Sequence, residues 1–247
     1  RSTPLAGQAL LALLSIYERS RDWAHAGEVA QLLGRQGEAR FEVRLAHYLC
    51  EQAASLPQDQ WHEKQALLER ACAVAPRSAR PPLAWADLME ERGDLTSAFE
   101  RRWKVAETMP TFVPLLAAGL TRLAMRLGRT AEVKAKLEQY AHESPSLDVM
   151  DALVELDQAS GVTDVQQRYA AHLDKETSMV AARQWLANEP LQHEAHRVAL
   201  DKALERAALP LKRYRCAACG FEAQRHFWQC PGCQAWDSYP PRRIEEL

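Results

Sequence analysis

The sequence lacks the features that mark membrane-spanning, secreted and strongly charged proteins. Its 247 residues carry 31 basic and 33 acidic side chains, so the formal net charge is −2 and no global attraction to nucleic acid or to an anionic membrane is expected. The longest uninterrupted apolar run, residues 9–14, is far too short to span a bilayer. No signal peptide is recognisable. A chain of this length and apolar content can form one large or two small domains.

The sequence also lacks the common motifs of catalysis. It contains no G-x-x-x-x-G-K, no G-x-G-x-x-G, no H-E-x-x-H and no G-x-S-x-G. Its charged residues are scattered along helix faces at spacings of three and four, which is typical of a solvated surface. The sequence therefore predicts a protein that is not an enzyme.

Glycine and proline are sparse, and they recur at regular positions. Pro76, Pro110 and Pro145 are 34 and 35 residues apart, and Gly93 and Gly128 are 35 apart. One amphipathic helix is predicted on each side of each glycine, over residues 82–92, 95–108, 114–127 and 130–142. A repeat of this length, built from two helices, a turn glycine and a closing proline, matches the tetratricopeptide pattern.

Helical periodicity continues from residue 5 to about residue 208, with weaker register beyond Pro145. The later helices are predicted over residues 147–159, 165–173, 177–188 and 191–208. The predicted fold is all-α, with a tetratricopeptide-type helical solenoid over residues 1–208; the alternative is an irregular helical bundle without true repeats. Short side chains at Ala86 and Ala98 would let paired helices approach closely, and Asp22 is expected to cap the second helix.

Stacked helices of such a solenoid form a concave groove that can hold a peptide or another protein. On this groove we predict four protein-contact residues: Asp87, Glu90, Arg122 and Met125.

Four of the six cysteines form two C-x-x-C pairs near the C-terminus. Cys216 and Cys219 form the first pair, and Cys230 and Cys233 follow after ten intervening residues. Two such pairs can direct four sulfurs at one point, in the tetrahedral geometry that zinc or a single iron prefers. The sequence therefore predicts one iron or zinc ion in a tetrathiolate site. The alternatives are two disulfides or a redox-active pair.

The other cysteines and two glycines carry further expectations. Cys50 and Cys72 lie within helical apolar patterns, so we expect small buried hydrophobic residues and a reducing compartment. Gly220 and Gly232 lie at the two cysteine turns, where we expect a positive φ.

Residues 209–247 form the second predicted domain, a small metal-binding module rich in aromatic side chains. So short a segment cannot bury a sufficient core, and a structural zinc ion would supply about 10–16 kcal/mol of folding free energy. The surplus aromatic side chains are expected to pack on the last solenoid helices, because the linker at residues 207–211 is too short for free tumbling. His226 could in principle bind the metal ion, but the four cysteine thiolates already fill a tetrahedral site.

A family resemblance follows from these motifs. Helical repeats followed by Y-R-C-x-x-C-G-F from residue 214 and W-x-C-P-x-C-x-A-W from residue 228 resemble the lipopolysaccharide assembly protein B family of Gram-negative bacteria. The resemblance implies a rubredoxin-like ribbon whose ligands are the four cysteines of the two pairs. Gln234 stands where a true rubredoxin has glycine, and the gap between the pairs is shorter. Both departures favour a structural ion over electron transfer.

The resemblance also implies a function. Members of this family are adaptors on the cytoplasmic side of the inner membrane, held there by an N-terminal helix that this chain, which begins at Arg1, is expected to lack. They restrain lipopolysaccharide synthesis by promoting proteolysis of the lipid A pathway deacetylase by a membrane-bound AAA protease. The implied partners are therefore the deacetylase, the protease and other lipopolysaccharide assembly proteins, with no nucleic acid.

Two other functions stay open from the residues themselves. A nucleic-acid-binding zinc ribbon is supported by a weak basic patch around the cysteines, made of Arg206, Lys212, Arg213, Arg215 and Arg225. A rubredoxin-type electron carrier is the second alternative.

Overall fold

The computed structural model describes residues 4–35, 39–189 and 194–247, which form two compact units. The first unit ends at Val105 and the second begins at Ala106, so the boundary falls inside a helix. The helices of the first unit, with the one that crosses the boundary, are α1 (Pro4–Ser20), α2 (Trp23–Gly34), α3 (Ala39–Ser55), α4 (Trp61–Val74), α5 (Arg80–Glu91) and α6 (Leu95–Thr108). Those of the second unit are α7 (Val113–Leu127), α8 (Thr130–Glu143), α9 (Leu147–Ala159), α10 (Gln166–Leu173), α11 (Met179–Asn188) and α12 (Arg197–Ala208).

In the first unit, helices that follow one another in the chain pack together. Helix α2 packs on α1 and α3, and α4 packs on α3 and α5. Small residues lie at these contacts: Ala26 and Ala30 are fully buried, and a Cβ on Gly27 would lie 3.4 Å from the Leu45 side chain. Such short side chains let helix backbones approach closely, which is the packing that a helical repeat needs.

The predicted local signals of the repeats are confirmed. Ala86 and Ala98 are fully buried. The Asp22 carboxylate accepts a hydrogen bond from the backbone N–H of His25 and caps α2, which begins at the next residue. Gly93 and Gly128 follow α5 and α7 with positive φ, at the predicted turns.

In the second unit, α9 lies at the centre of the packing. It packs against α7, α8 and α10, while α11 packs against α10 and α12. One apolar core joins α9, α10, α11 and the end of α12, and its buried members are Leu147, Met150, Val154, Val165, Tyr169, Val180, Ala181 and Ala208. The partly buried Leu211, just after α12, packs against the same core.

The predicted fold class is confirmed: paired helices of tetratricopeptide type precede a small knuckle that brings four cysteines together. Helices α6 and α9 have the predicted bounds. The last predicted helix, 191–208, is wrong at its start: residues 191–193 lie outside the described ranges, and Glu194–His196 form a 3₁₀ turn before α12. Arg197 at that corner donates to the carbonyl of Leu186 near the end of α11 at 3.0 Å.

Two further features bear on the sequence predictions. Cys50 is buried and Cys72 half-buried, both as free thiols, and burial raises the pKa of Cys50 to about 12. None of the described helices combines the length and the apolar character needed to cross a membrane.

The C-terminal module follows α12 and has little regular structure. Strands β1 (Tyr214–Arg215) and β2 (Glu222–Ala223) pair antiparallel, and a 3₁₀ turn, Ile244–Glu246, ends the chain. The module belongs to the same compact unit as α7–α12. The domain boundary between residues 208 and 209 stays a prediction, although α12 ends at Ala208.

Candidate metal centre

Two turns with the same backbone pattern hold the four cysteines. In the first, the N–H four residues after Cys216 donates to the Cys216 carbonyl at 2.8 Å, and the Cys216 N–H donates to the carbonyl five residues later at 2.9 Å. The same two bonds, again 2.8 and 2.9 Å, recur around Cys230. Each turn directs both of its thiols to the same side, so two facing turns can surround one ion.

The distances between the sulfurs fit a tetrahedral metal site. Cys216 Sγ lies 3.8 Å from Cys233 Sγ, and Cys219 Sγ lies 3.7 Å from Cys230 Sγ. All four sulfurs lie within 4.8 Å of one another. Metal–sulfur bonds of about 2.3 Å in a tetrahedron place the sulfurs about 3.8 Å apart, whereas a disulfide bond is about 2.05 Å long. The donor set therefore fits a zinc or iron ion and does not fit the disulfide alternative.

The first cysteine of each pair is the buried one, and its surroundings favour the thiolate. Burial alone would raise the pKa of Cys216, but hydrogen bonding with the Ser238 side chain and with the backbone amides two and three residues later lowers the pKa to about 6. The pKa of Cys230 is likewise lowered by two backbone amides of its own turn, against the effect of burial. Metal ligation requires deprotonated sulfur, so these amides prepare the site for a cation.

The sequence prediction for the two turn glycines is right for Gly220 and wrong for Gly232. Gly220 has a φ of 76°, as expected, but the equivalent residue of the second turn is Gln234, with a φ of 61°. The expected positive φ at Gly232 is wrong. Its role is steric, because a Cβ at this position would lie 3.1 Å from the ring of Phe221.

Replacing Gln234 with glycine should stabilise the module, because a left-handed conformation costs an ordinary residue about 1–2 kcal/mol more than it costs glycine. Chelator titration of the metal-loaded chain should show tighter metal retention in Gln234→Gly than in the unchanged protein. Gly220→Ala is the matched reverse change, and it should weaken retention. Equal retention in all three proteins would contradict the argument.

Aromatic side chains enclose His226 beside the cysteine turns. Its ring contacts Tyr214, Trp228 and Tyr239 edge-on, with centroids 4.9 to 6.1 Å apart, and its Nε2 lies 3.1 Å from the Tyr239 carbonyl oxygen. The Tyr239 hydroxyl donates to the carbonyl of Phe221 at 3.1 Å, which links this aromatic group to the first turn. His226 is therefore a packing residue that donates to a carbonyl, while the four thiols form the cluster that could hold a metal ion.

Comparison with known proteins shows the same C-terminal module and relatives of similar sequence. Residues 214–241 match the family model of the LapB zinc ribbon, described as a rubredoxin metal binding domain. Lipopolysaccharide assembly protein B of Escherichia coli (strain K12) is 28% identical over 243 residues, covering 95% of this chain and 62% of that protein. The protein of the same name from Haemophilus influenzae is 25% identical over 247 residues, covering 98% of this chain and 62% of that protein.

The predicted resemblance to lipopolysaccharide assembly protein B is confirmed. This chain spans 62% of the length of the two relatives compared.

Two solved structures of low sequence identity superpose on this chain. A tetratricopeptide repeat protein from Parabacteroides merdae superposes with a TM-score of 0.47 at 11% identity, covering 82% of this chain and 78% of that one. The Pseudomonas aeruginosa protein pilF gives a TM-score of 0.43 at 14% identity, covering 83% of this chain and 90% of that one.

The C-terminal tail holds the module that resembles the LapB ribbon against α9 and α11. Arg243 forms an ion pair with Asp148 at 2.7 Å, and its guanidinium lies 4.3 Å from the centre of the Tyr214 ring. Glu246 accepts a hydrogen bond from the backbone N–H of Leu147 at 2.6 Å, at the start of α9. The tail therefore supplies a carboxylate where the helix has unpaired amides and a partial positive charge.

Glu245 makes the corresponding contact with α11. Its carboxylate accepts from the backbone N–H of Met179 at 2.6 Å and from the Ser178 hydroxyl at 2.7 Å. Ser178 in turn caps the same helix by accepting from Ala181 N–H at 2.9 Å. Sequence reasoning missed both tail glutamates, because the helix starts that they contact lie 99 and 66 residues away in the chain.

One aromatic side chain of the module, Trp228, packs near the start of α7. Its ring lies 5.9 Å from that of Phe112, just before α7. Leu115 on α7 packs against the buried group formed by Tyr214, Cys216, Cys230 and Tyr239. The module is placed by these contacts and by its tail, which are distant in sequence from α12.

The four predicted protein-contact residues lie in different units. Asp87 is exposed and Glu90 half-buried on α5, and both bond to the buried Arg102, at 2.5 and 3.0 Å. Arg122 is exposed and Met125 half-buried on α7. Glu90 therefore compensates a buried charge within its own unit, and a role of the four residues in binding a partner stays a prediction.

The surroundings of His226 predict a pH dependence of stability. Burial lowers the pKa of His226, and the hydrogen bond to the Tyr239 carbonyl offsets this only in part. The unfolded chain therefore binds the proton more readily, and stability should fall as the pH drops below about 6.5. In His226→Gln, which can donate to the carbonyl but does not titrate, denaturant midpoints at about pH 7.5 and 5.5 should differ less than in the unchanged protein. An identical pH dependence in both proteins would refute this assignment.

Proposed function

We propose that this chain is part of a non-enzymatic adaptor in lipopolysaccharide assembly, with a structural iron or zinc ion in its C-terminal module. The observation that supports this most is the likeness to lipopolysaccharide assembly protein B along 95% of the chain, together with the match of its ribbon. Both relatives carry lipopolysaccharide assembly in their names.

The finer proposal concerns how such an adaptor acts. It promotes proteolysis of the lipid A pathway deacetylase by holding it close to a membrane-bound AAA protease, on the cytoplasmic side of the inner membrane. Binding both proteins at once raises the effective concentration of one near the other without any chemistry by the adaptor itself. Other lipopolysaccharide assembly proteins are further partners, and attachment to the membrane would come from a segment outside this chain.

The role proposed for the metal is structural. Cys216, Cys219, Cys230 and Cys233 would hold the ion, which supplies folding free energy to a module with a very small core. The tail then links the folded module to α9 and α11 through its bonds to Asp148, Leu147 and Ser178.

Within the basic patch considered for nucleic-acid binding, two arginines have an acidic partner. Arg215 lies 3.0 Å and Arg213 3.5 Å from the carboxylate of Glu222. The pairing reduces the positive charge that is available to a phosphate backbone, which supports the adaptor over the nucleic-acid alternative. The electron-carrier alternative requires a reversible, visible-absorbing iron centre that passes electrons to a partner.

A pull-down in which the retained proteins are identified tests the adaptor proposal. The unchanged chain should retain the deacetylase or the AAA protease, and the double variant Cys230→Ser/Cys233→Ser should lose these partners together with its metal. Cys72→Ser is the matched control, because it removes a thiol outside the cluster. Retention of metal by the double variant would refute the ligand assignment, and retention of neither protein by the unchanged chain would refute the proposed partners.

The predicted contact residues on α7 are tested in the same assay. Arg122→Ala and Met125→Ala should lower retention of a partner without loss of metal, since neither residue belongs to the cysteine cluster. On α5, Asp87→Ala is preferable to Glu90→Ala, because Glu90 is the less exposed partner of the buried Arg102. Unchanged retention in all three variants would exclude these residues as contacts.

A further inference from the structure

A cavity of about 260 Å³ lies between α8, α9 and α10, and no residue of the C-terminal module lines it. Met150 and Leu153 of α9 provide apolar walls, with Ala141 of α8 and Ala171 of α10. Ser146, the residue just before α9, also lines the cavity. The cavity therefore has an apolar interior with a hydroxyl-bearing residue at one end.

Ser146 is an unusual helix cap. It occupies the N-cap position of α9 with extended backbone, but its side chain makes no capping bond. The N–H of Leu147 is instead bonded to Glu246. Ser146 is only 2% exposed, and its hydroxyl has no hydrogen-bond partner in the described part of the chain. A buried unpaired hydroxyl costs stability, so a ligand that pairs with it gains a bond that the free protein lacks.

Basic side chains surround the rest of the cavity. His142, His172 and Lys175 line it, and within the described ranges their side chains take part in no hydrogen bond or ion pair. The remaining charged residues of the lining, Glu138 and Arg168, are bonded to each other at 2.9 Å. The uncommitted charge at this cavity is therefore positive.

The geometry points to a binding site for a carboxylate on a short aliphatic stem. The carboxylate would accept from the Ser146 hydroxyl and pair with Lys175, with the two imidazoles as further donors, while the stem lies against Met150 and Leu153. A cavity of about 260 Å³ is smaller than most drug-sized sites, so it suits a single side chain or a short acid rather than a long acyl chain. This site is separate from the cysteine cluster and from the adaptor role proposed above.

The acidic residues of the tail lie in a neighbouring cavity. Glu176, Glu245 and Glu246 line that second cavity and not this one, although both cavities share Pro145 and His172. The two tail carboxylates are bonded to backbone amides at the starts of α9 and α11. Their charge is thus compensated by helix ends, and they do not occupy the carboxylate site.

Binding is tested by NMR titration of the full metal-loaded chain with sodium butyrate. Butyrate should shift amide signals near Ser146 and Lys175 saturably, and n-butanol and n-butylamine should bind at least about tenfold more weakly, because they lack the charge that the site selects. N-acetylglutamate N-methylamide is the second arm. If this compound binds more tightly than butyrate, the natural ligand is the carboxylate of a protein side chain. If butyrate binds more tightly, the natural ligand is a free acid.

Two variants and one control separate binding from folding. Ser146→Ala should weaken butyrate binding about tenfold and raise the thermal midpoint of the free protein, since it removes an unpaired hydroxyl. Lys175→Gln, at an exposed position, should weaken binding several-fold, whereas Lys202→Gln on α12 should leave it unchanged. The proposal is overturned if butyrate gives no saturable shifts, if n-butylamine binds equally well, or if Lys175→Gln and Lys202→Gln behave alike.

Discussion

Replacing Cys230 with serine should abolish metal binding and unfold the C-terminal module while α1–α12 stay helical. Cys230 is fully buried, and its sulfur lies 3.7 Å from that of Cys219. The loss removes most of the metal's contribution, about 10–16 kcal/mol for a structural zinc site, from a segment whose buried group has only four members. Metal analysis should fall from one ion per chain to background, and the fluorescence of Trp228 and Trp236 should shift to that of exposed indole.

The control for this experiment is Cys72→Ser, which removes a half-buried thiol of the first unit. It should keep one ion per chain and the fluorescence of the unchanged protein. Far-ultraviolet circular dichroism should be nearly the same for both variants, because the module contains two short strands and no α-helix. A Cys230→Ser protein that remained folded in residues 214–241 without metal would overturn the structural role of the ion.

Removing both tail carboxylates, with Glu245→Ala and Glu246→Ala combined, should destabilise the second unit by about 2–4 kcal/mol. Glu246 is bonded to the first amide of α9, and Glu245 to the first amide of α11 and to the Ser178 hydroxyl. Loss of these bonds leaves two helix starts with unpaired amides and loosens the module from them. Hydrogen exchange should show faster exchange at Leu147, Met179 and Val180.

Glu155→Ala is the matched control for the tail variant. Glu155 is an exposed glutamate of α9, away from the helix start. Its replacement should change the free energy of unfolding by no more than about 0.5 kcal/mol, as expected for a surface substitution. If the tail variant were no less stable than this control, the tail glutamates would not hold the module in place.

Much of the helical part was predictable because its signals are local. The bounds of α6 and α9 follow from apolar spacing, and Asp22 and Gly128 mark helix ends by chemistry that acts within a few residues. The cysteine turns are local in the same sense, since each pair spans four residues. The grouping of all four sulfurs within 4.8 Å agrees with the prediction for that reason.

Two contacts of the C-terminal module are not encoded by local spacing in the sequence. Gly232 was expected to be needed for its backbone conformation, but it is needed for space against Phe221 from the other turn. Trp228 lies beside Phe112, more than a hundred residues earlier in the chain. In both cases the partner is set by the path of the backbone, which periodicity does not reveal.

The sequence was less informative about protein-contact residues, for which it predicted Asp87, Glu90, Arg122 and Met125. A repeat pattern predicts which residues lie on a helix face, but not which of them are used by the protein itself. The structure shows that Asp87 and Glu90 bond to the buried Arg102, while Arg122 and Met125 lie on α7.

The amino-acid sequence alone determined the helical class, the repeat of paired helices and the cluster of four cysteines, because these depend on interactions between residues close together in the chain. Tertiary structure alone decided how the metal module is held: Glu246 bonds to Leu147 and Glu245 to Met179, across 99 and 66 residues. It also decided that Ser146 is left without a hydrogen bond at a basic cavity. Such contacts depend on how distant segments meet when the apolar cores are buried, and no local pattern specifies that meeting.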